Sequence, residues 1–212
     1  GPVVVIGACN FPLAISVVGT DTMSALAVGC PVIVKAHPGH PGTCAKLSEI
    51  VKEAAKTSEM PTGTFLLLQG EDHRVSRELV EHPLTKAVAF TGSLQGGRAL
   101  ATIAAARNEP IPFYAEMGSL NPLFILPGAI RERSEEIARG YVEAINLFAG
   151  QMCTKPGALV LIDGPGVGTF LSTVAEATRT HSPITMLNKG IRENYETSTK
   201  ALAEKAELLA ES

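Results

Sequence analysis

The sequence lacks the features that mark several large classes of protein. Its four cysteines show no CxxC spacing, which argues against a zinc site and a disulfide scaffold and fits a reducing cytoplasm. The five histidines form no HExxH or paired-ligand pattern, so no metal site is expected. No apolar run is long enough to span a bilayer, and the formal net charge of −3 offers no basic face to nucleic acid. We therefore expect a cytoplasmic protein with no metal, membrane or nucleic acid partner.

The composition that is present is that of a chain with a packed core. Of the 212 residues, 45% are hydrophobic and 18% are charged, and the length suffices for one large domain or two small ones. The chain starts without Met and opens directly on an apolar, strand-like run at 3–7. We therefore expect it to be a piece of a longer protein.

The first half of the chain alternates short apolar runs with amphipathic stretches. Apolar runs predict strands at 3–7, 31–35, 64–68, 86–90 and 112–116. Helices are predicted between them at 13–28, 43–57, 73–81 and 94–106. This alternation predicts a doubly wound, Rossmann-like parallel sheet, which makes the fold class α/β.

The second half follows a different pattern. It predicts strands at 121–126 and 158–162 and helices at 130–149, 167–180 and 189–211. The change of pattern at Met117–Leu120 predicts a boundary between a domain of residues 1–117 and a second α/β domain of residues 118–212.

The most reactive candidate is Cys153, which lies in the loop Gly150–Gly157. Glycines flank it and a proline follows, so no helix or strand pattern runs through the thiol. Such a loop can present a thiol to a substrate, whereas a core cysteine normally sits in an apolar run. A thiolate is a strong nucleophile, so the function depends on what surrounds it.

Two glycine-rich turns compete as phosphate sites. Gly164–Gly168 follows a strand, but its GxGxG spacing lacks the dinucleotide pattern and an acidic residue after it, which favours a plain turn. Phe90–Gly97 ends a strand and opens a helix at Ser93. Helix amides and a hydroxyl can bind a pyrophosphate, and Ser93 can equally be an ordinary N-cap.

Three single residues are ambiguous when taken alone. Lys35 ends a strand at the edge where parallel sheets bind ligands, although a solvent-exposed strand end is the simpler interpretation. Asn10 lies in the first strand-to-helix turn and has an amide suited to an oxyanion, although asparagine is common in turns. Glu116 ends a strand at the domain boundary and has the chemistry of a general base or of a solvated glutamate.

Taken together, these segments resemble the aldehyde dehydrogenase superfamily. The resemblance covers the chain to Asp163, and Glu116 precedes Cys153 by 153 − 116 = 37 residues, as in that family. Residues 30–43 and 112–117 further resemble the branch of α-ketoglutaric semialdehyde dehydrogenases and NADP-dependent fatty aldehyde dehydrogenases. The shared motifs are Ala8–Pro12, Val34–Lys35, Phe90–Ser93, Ala115–Gly118 and Gly150–Cys153.

The resemblance implies a Rossmann-like cofactor domain followed by the start of a catalytic domain, and oxidation of an aldehyde to an acid. Cys153 would be the nucleophile, Asn10 the oxyanion donor and Glu116 the base that activates water. NADP or NAD would be the cofactor, and a homo-oligomer the assembly. The residues implied to contact the cofactor are Lys35, His37, Pro38, Arg74, Gly92, Ser93 and Gly97.

Three departures from the family pattern matter. NAD-selective members carry a glutamate three residues after the lysine, where this chain has Pro38, so a 2′-phosphate is not repelled there. Arg74 is a candidate to bind that phosphate. Cys9 replaces the usual tryptophan before Asn10, with little expected consequence. The chain is also well under half the length of a typical member.

The substrate predicted first is a keto-acid or sugar-acid semialdehyde, with α-ketoglutaric semialdehyde as the leading candidate and 2-oxoglutarate as its product. A long-chain aldehyde is the alternative substrate. The alternative from a different functional class is that the chain is a truncated, inactive polypeptide. A cysteine hydrolase is less favoured, because it needs a histidine base and neither His82 nor His181 lies in a motif.

Overall fold

The computed structural model describes residues 1–211, which pack into two compact units, Gly1–Gly118 and a second that begins at Ser119. The first unit is built on a parallel sheet whose described strands run in the order β3-β2-β1-β4-β5. Its strands are β1 (Val3–Ile6), β2 (Val32–Lys35), β3 (Phe65–Leu68), β4 (Ala87–Gly92) and β5 (Phe113–Met117). The predicted α/β class with a parallel sheet is confirmed.

Four helices connect these strands and cover both faces of the sheet. They are α1 (Thr20–Ala27), α2 (Pro41–Thr57), α3 (Arg74–Glu81) and α4 (Leu94–Ala106). One apolar cluster joins strand residues such as Val5 and Val34 to Ala25 of α1 and Cys44 of α2. The cluster on the opposite face joins other strand residues to Leu79 of α3 and Ala104 of α4. The valine-rich strands are therefore buried on both faces, as in other parallel sheets.

The first helix differs from its prediction. The sequence predicts it at 13–28, but it begins at Thr20 because residues 11–19 form turns that lie over the end of β1. The carbonyl oxygen of Ile15 lies so close to Gly7 that a Cβ there would be 2.1 Å from it. Ser16 and Val17 are buried in this turn region, so apolar residues alone do not distinguish it from helix.

The second unit contains a two-stranded parallel sheet of β6 (Pro122–Ile125) and β7 (Ala158–Leu161) among its described residues. Helices α5 (Pro127–Asn146) and α6 (Val167–Thr180) pack on it, and Ile130, Val142 and Phe170 lie in their shared core. The predicted burial of β7 is only partly right, because Val160 is 47% exposed.

Two helix ends in this unit also differ from prediction. The helix expected at 130–149 ends at Asn146 and is followed by a 3₁₀ turn, Leu147–Gly150, with Phe148 and Ala149 at positive φ. The helix expected at 189–211 is α7 (Lys189–Ala203), which ends eight residues earlier (211 − 203). None of the helices within residues 1–211 combines the length and apolar composition needed to cross a lipid bilayer.

The glycine-rich turn at 164–168 has a structural explanation. Gly166 has φ of +94° at the start of α6, and a Cβ there would lie 2.5 Å from the carbonyl oxygen of Ile130. Both the backbone conformation and the close approach require glycine. This supports the interpretation of the segment as a turn.

Arg107 stabilises the connection between α3 and β4. Its guanidinium donates hydrogen bonds to the carbonyl oxygens of Val80, His82, Pro83 and Thr85, at distances of 2.5 to 3.4 Å. These oxygens include helix-terminal acceptors of α3, where a cation is also favoured by the helix dipole.

Arg107→Ala is expected to lower the free energy of unfolding by about 2 kcal/mol, because charged hydrogen bonds to four carbonyl oxygens would be lost together, and two of these bonds are part-buried. Arg107→Lys should recover only part of the loss, since an ammonium cannot reproduce the planar fork. Urea unfolding followed by far-UV circular dichroism measures both. Arg98→Ala, at an exposed position on α4, is the matched control, and an equal loss there would contradict the assignment.

Candidate active site

The predicted residues of the first unit share one edge of its sheet. Asn10 follows β1, Lys35 ends β2, Ser93 follows β4, and Glu116 is the penultimate residue of β5. Because these strands are parallel and in register, their carboxyl ends meet at the same edge. The strand order reverses between β1 and β4, which is where doubly wound sheets bind ligands.

Lys35 is not a solvated strand end, and that simpler interpretation was wrong. The residue is 6% exposed, and its Nζ donates a hydrogen bond of 2.8 Å to the carbonyl oxygen of Gly70. Burial lowers the pKa of Lys35, and the nearby Asp72 and Cys44 partly oppose that shift. An ammonium has three protons, so Lys35 retains donors for a ligand oxygen at this edge.

A cavity of about 360 Å³ lies beside Lys35 and Gly70. Pro38 lines it together with Pro41, Gln69, Gly70 and Glu71. The sequence predicts Pro38 as a cofactor contact, but it does not predict Gln69 or Glu71, which lie in the connection after β3. The parallel pairing of β2 with β3 brings together the loops that follow these two strands. This pairing has no local signal in the sequence.

His37 precedes this cavity loop and is held neutral. Its Nδ1 accepts a hydrogen bond of 3.0 Å from the backbone N–H of Gly39, and its ring stacks on His40 at 5.8 Å. Burial, followed by the charges of His40 and Lys35, lowers the pKa of His37 to about 4. A neutral imidazole next to Lys35 can pack or accept a hydrogen bond, but it adds no positive charge for a phosphate.

Stability is expected to fall as the pH drops from 6.5, the ordinary pKa of histidine, to the folded value of about 4. The unfolded chain binds the proton first, so folding loses stability across that window and loses nothing above it; because solvent partly screens this ring, the loss is about 1 kcal/mol. Urea unfolding at pH 7.5 and pH 4.5 checks this. His37→Gln should remove that part of the pH dependence, whereas the exposed His73→Gln should keep it; equal slopes in both variants would contradict the prediction.

The turn before α4 serves as a helix cap and has capacity left for a ligand. Ser93 Oγ accepts a hydrogen bond of 3.1 Å from the N–H of Gly96, so the N-cap interpretation holds. The hydroxyl proton can still be donated to a phosphate oxygen. Gly97 is packed against β5, where an added Cβ would lie 2.3 Å from Met117 Sδ. A larger residue at Gly97 would therefore require the Met117 side chain, or the helix that presents Ser93, to move.

Arg74 is exposed at the start of α3. Its Nε lies 3.8 Å from the Glu78 carboxylate, and its backbone N–H donates to Asp72 Oδ1 at 3.1 Å. This pairing competes with binding of a phosphate, so the role of Arg74 stays a prediction.

Glu116 is exposed and has a carboxylate neighbour that sequence reasoning missed. Asp21, in the first turn of α1, has a raised pKa because it is partly buried and because the charge of Glu116 acts on it. The two residues are far apart in sequence, so only the packing of α1 against the sheet edge reveals the pair. Asn10 lies partly buried in the turn after β1.

Cys153 belongs to the second unit, and its thiol is exposed. It lies in a turn in which Lys155 N–H donates to the Met152 carbonyl oxygen at 3.1 Å. The preceding Phe148 and Ala149 have φ of +52° and +57°, a left-handed conformation that costs non-glycine residues roughly 1 kcal/mol each. Backbone strain of this kind persists only where neighbouring contacts hold it.

Gln151 supplies such contacts. Its Nε2 donates to the carbonyl oxygen of Phe148 at 2.9 Å, and its Oε1 accepts from the N–H of Leu187 at 2.9 Å. The side chains of Ser119 and Asn121 also reach this loop, and both donate to the carbonyl oxygen of Cys153. Nothing in the sequence singles out these two residues, because Ser119 lies in the segment interpreted as a domain boundary and Asn121 begins the strand predicted at 121–126.

Among residues 1–211, no group of three or more His, Cys, Asp or Glu side chains is arranged to hold a metal ion.

The model of the aldehyde dehydrogenase family matches residues 1–193. The chain belongs to the aldehyde dehydrogenase family. It is 48% identical over 204 residues to α-ketoglutaric semialdehyde dehydrogenase 2 of Azospirillum brasilense, covering 96% of this chain and 39% of that one. It is 46% identical over 202 residues to the α-ketoglutaric semialdehyde dehydrogenase of Acinetobacter baylyi, covering 95% and 38%.

A solved aldehyde dehydrogenase-fold structure agrees with this membership. A mutant of Thermus thermophilus 1-pyrroline-5-carboxylate dehydrogenase is 29% identical, with a TM-score of 0.74, and the match covers 86% of this chain and 34% of that one. The chain spans about two fifths of the length of the curated relatives it matches. The predicted family is confirmed, and every residue predicted for the site lies within the matched range.

Proposed function

We propose that the protein carrying this chain oxidises an aldehyde to a carboxylic acid, with NADP or NAD as the hydride acceptor. The observation that carries this proposal is the 48% identity, over 96% of the chain, to a relative named as a semialdehyde dehydrogenase. An exposed Cys153 in a loop held by several side chains supports it, since thiol addition to a carbonyl needs an accessible sulfur.

In the proposed first half-reaction, the Cys153 thiolate adds to the aldehyde carbon and forms a thiohemiacetal. The amide of Asn10 and the backbone N–H of Cys153 donate to the resulting oxyanion. Loss of hydride from this carbon leaves a thioester on Cys153. A bound nicotinamide supplies the acceptor for that hydride.

In the proposed second half-reaction, Glu116 takes a proton from water, which then attacks the thioester. The acid leaves, and the Cys153 thiolate is restored. An exposed carboxylate at a strand end can exchange its proton with solvent between turnovers. Nearby, burial and the charge of Glu116 raise the pKa of Asp21.

The edge of the first unit fits a nucleotide cofactor. Lys35 would bind the adenosine ribose or its phosphate, and Ser93 with Gly92 would bind the pyrophosphate at the start of α4. Gly97 keeps that helix close to the sheet. The loop of His37 and Pro38, with its cavity of about 360 Å³, provides the adjoining surface.

The cofactor is proposed to be NADP, or both cofactors, because Pro38 has no carboxylate to repel a 2′-phosphate. Pro38→Glu is expected to weaken NADP binding by at least about tenfold and to leave NAD binding equal or tighter, since a carboxylate repels phosphate and accepts from ribose hydroxyls. Titration of both cofactors measures the two dissociation constants. Pro38→Ala is the control and should change neither.

Glu71 is the residue that opposes this proposal, because its carboxylate lines the same cavity. If Glu71 already excludes the phosphate, the unmodified protein will prefer NAD strongly and Glu71→Gln will relax that preference. A strong NAD preference in the unmodified protein would contradict the argument from Pro38, and a preference that Glu71→Gln does not change would also show that this cavity does not discriminate between the two cofactors.

The substrate is proposed to be a short semialdehyde of a keto or sugar acid, with α-ketoglutaric semialdehyde first, on the strength of the named relatives. A panel of short semialdehydes and long-chain aldehydes, run with both cofactors on the full-length protein, tests it. We expect the highest kcat/KM with α-ketoglutaric semialdehyde. A preference for long-chain aldehydes would establish the alternative, and no turnover with any aldehyde would favour the inactive polypeptide.

A homo-oligomeric assembly and a cytoplasmic location stay predictions. The first comes from the family resemblance and the second from the scattered cysteines.

A further inference from the structure

The segment Ser119–Asn121 is hydrogen-bonded along the loop that contains Cys153. Ser119 Oγ donates to the Cys153 carbonyl oxygen at 2.5 Å, and Asn121 Nδ2 donates to the same oxygen at 2.6 Å. Asn121 Nδ2 also donates to the Lys155 carbonyl oxygen at 2.9 Å. The carbonyl oxygen of the candidate nucleophile therefore accepts a hydrogen bond from each of the two side chains.

A backbone bond already joins the two segments. The N–H of Gly157 donates to the carbonyl oxygen of Leu120 at 2.7 Å. Simple attachment of the loop therefore does not require the side chains of Ser119 and Asn121. Their bonds add something more specific, because they converge on the peptide between Cys153 and Thr154.

Asn121 adopts a costly conformation to make these bonds. Its φ is +49°, in the left-handed region, and the following Pro122 begins β6. Asparagine tolerates this region better than most residues, and strained backbone is retained where neighbouring contacts over-determine it. The bonds to Cys153 and Lys155 are such contacts.

We propose that Ser119 and Asn121 form a carbonyl clamp that positions the nucleophile, an inference that rests on the thiol chemistry of the proposed function. The clamp restricts rotation about the Cα–C bond of Cys153. It thereby holds the direction of the Cys153 side chain and of the Cys153 N–H. It also compensates the partial negative charge on an oxygen next to a sulfur that reacts as an anion. Both residues act through Cys153, so they are positioning residues and touch no reacting atom.

The test compares variants that remove or keep the donors. Ser119→Ala and Asn121→Gly remove them singly and together, and glycine accepts the positive φ of residue 121. Ser119→Thr keeps a hydroxyl and serves as the conservative rescue. Two rates are measured on each full-length variant: alkylation of Cys153 by iodoacetamide, located by peptide mass, and the pre-steady-state burst of reduced cofactor with a saturating aldehyde.

The double variant is expected to alkylate at least about threefold more slowly and to lose at least about tenfold in burst rate at saturating aldehyde. Ser119→Thr should recover both rates to within about twofold. Alkylation that stays equal or becomes faster in the double variant overturns the clamp. Alkylation needs no aldehyde or cofactor, so it tests the clamp separately from the proposed function. If the double variant alkylates more slowly but the unmodified protein shows no burst, the clamp is supported and the proposed function is refuted. Ser119→Ala alone decides the same question if the double variant does not fold.

Discussion

Cys153→Ala is expected to abolish aldehyde oxidation, with kcat/KM reduced by at least about 10⁴-fold. Without the thiolate there is no covalent adduct, and an aldehyde does not transfer hydride efficiently until its carbonyl carbon becomes tetrahedral. Cofactor binding should be unchanged, because the residues proposed to hold the nucleotide lie in the other unit of the chain. Reduced cofactor is measured by its absorbance, under steady-state and single-turnover conditions.

Cys30→Ala is the matched control for this loss. Cys30 is a partly buried cysteine that packs against the core of the first unit, away from the proposed chemistry. It should retain kcat/KM to within about twofold. Full turnover in Cys153→Ala would show that another group is the nucleophile.

Glu116→Gln is expected to slow thioester hydrolysis by about 10² to 10⁴-fold while leaving hydride transfer nearly intact. Glutamine keeps the shape of the side chain but cannot accept the proton from water. The variant should therefore produce one burst of reduced cofactor and then stall as the acyl-enzyme. Rapid-quench kinetics separate the burst from the steady state.

Glu53→Gln, at an exposed glutamate of α2, controls for the loss of one negative charge. It should show the same burst and the same steady-state rate as the unmodified protein. If Glu116→Gln hydrolysed its thioester as fast as Glu53→Gln, Glu116 would not be the base.

The sheet of the first unit could be predicted from sequence because its strands are short, continuous apolar runs. Val3–Ile6 and Val32–Lys35 are buried on both faces, so hydropathy alone locates them to within a residue. The ends of helices are harder to predict from sequence. Residues 11–19 bury Ser16 and Val17 without being helical, and periodicity does not separate a buried turn from a helix.

The left-handed turn at Phe148 and Ala149 could not be predicted for a related reason. Both residues continue the apolar pattern of α5, and neither is a glycine or an asparagine. The hydrogen bond from Gln151 to Phe148 helps to hold this conformation, and the Gln151 side chain also accepts a hydrogen bond from the N–H of the distant Leu187. Local propensity gives no signal for strain that distant residues maintain.

Some features of the candidate site could be predicted from the sequence and others could not. Cys153, Asn10 and Glu116 could be selected from sequence because each belongs to a motif. Lys35 could be selected too, but its burial and its bond to Gly70 depend on the pairing of β2 with β3. Partners separated by more than thirty residues have no local pattern, and this is why the side chains that hold Cys153 were missed.

The most direct test of covalent catalysis by Cys153 is the mass of the Glu116→Gln protein, quenched in acid after a single turnover with α-ketoglutaric semialdehyde. Covalent catalysis by Cys153 predicts one reduced cofactor per chain and an acyl group on the peptide that contains Cys153, at the mass of the thioester. Reduced cofactor without any acyl adduct, or an adduct on a different residue, would contradict it.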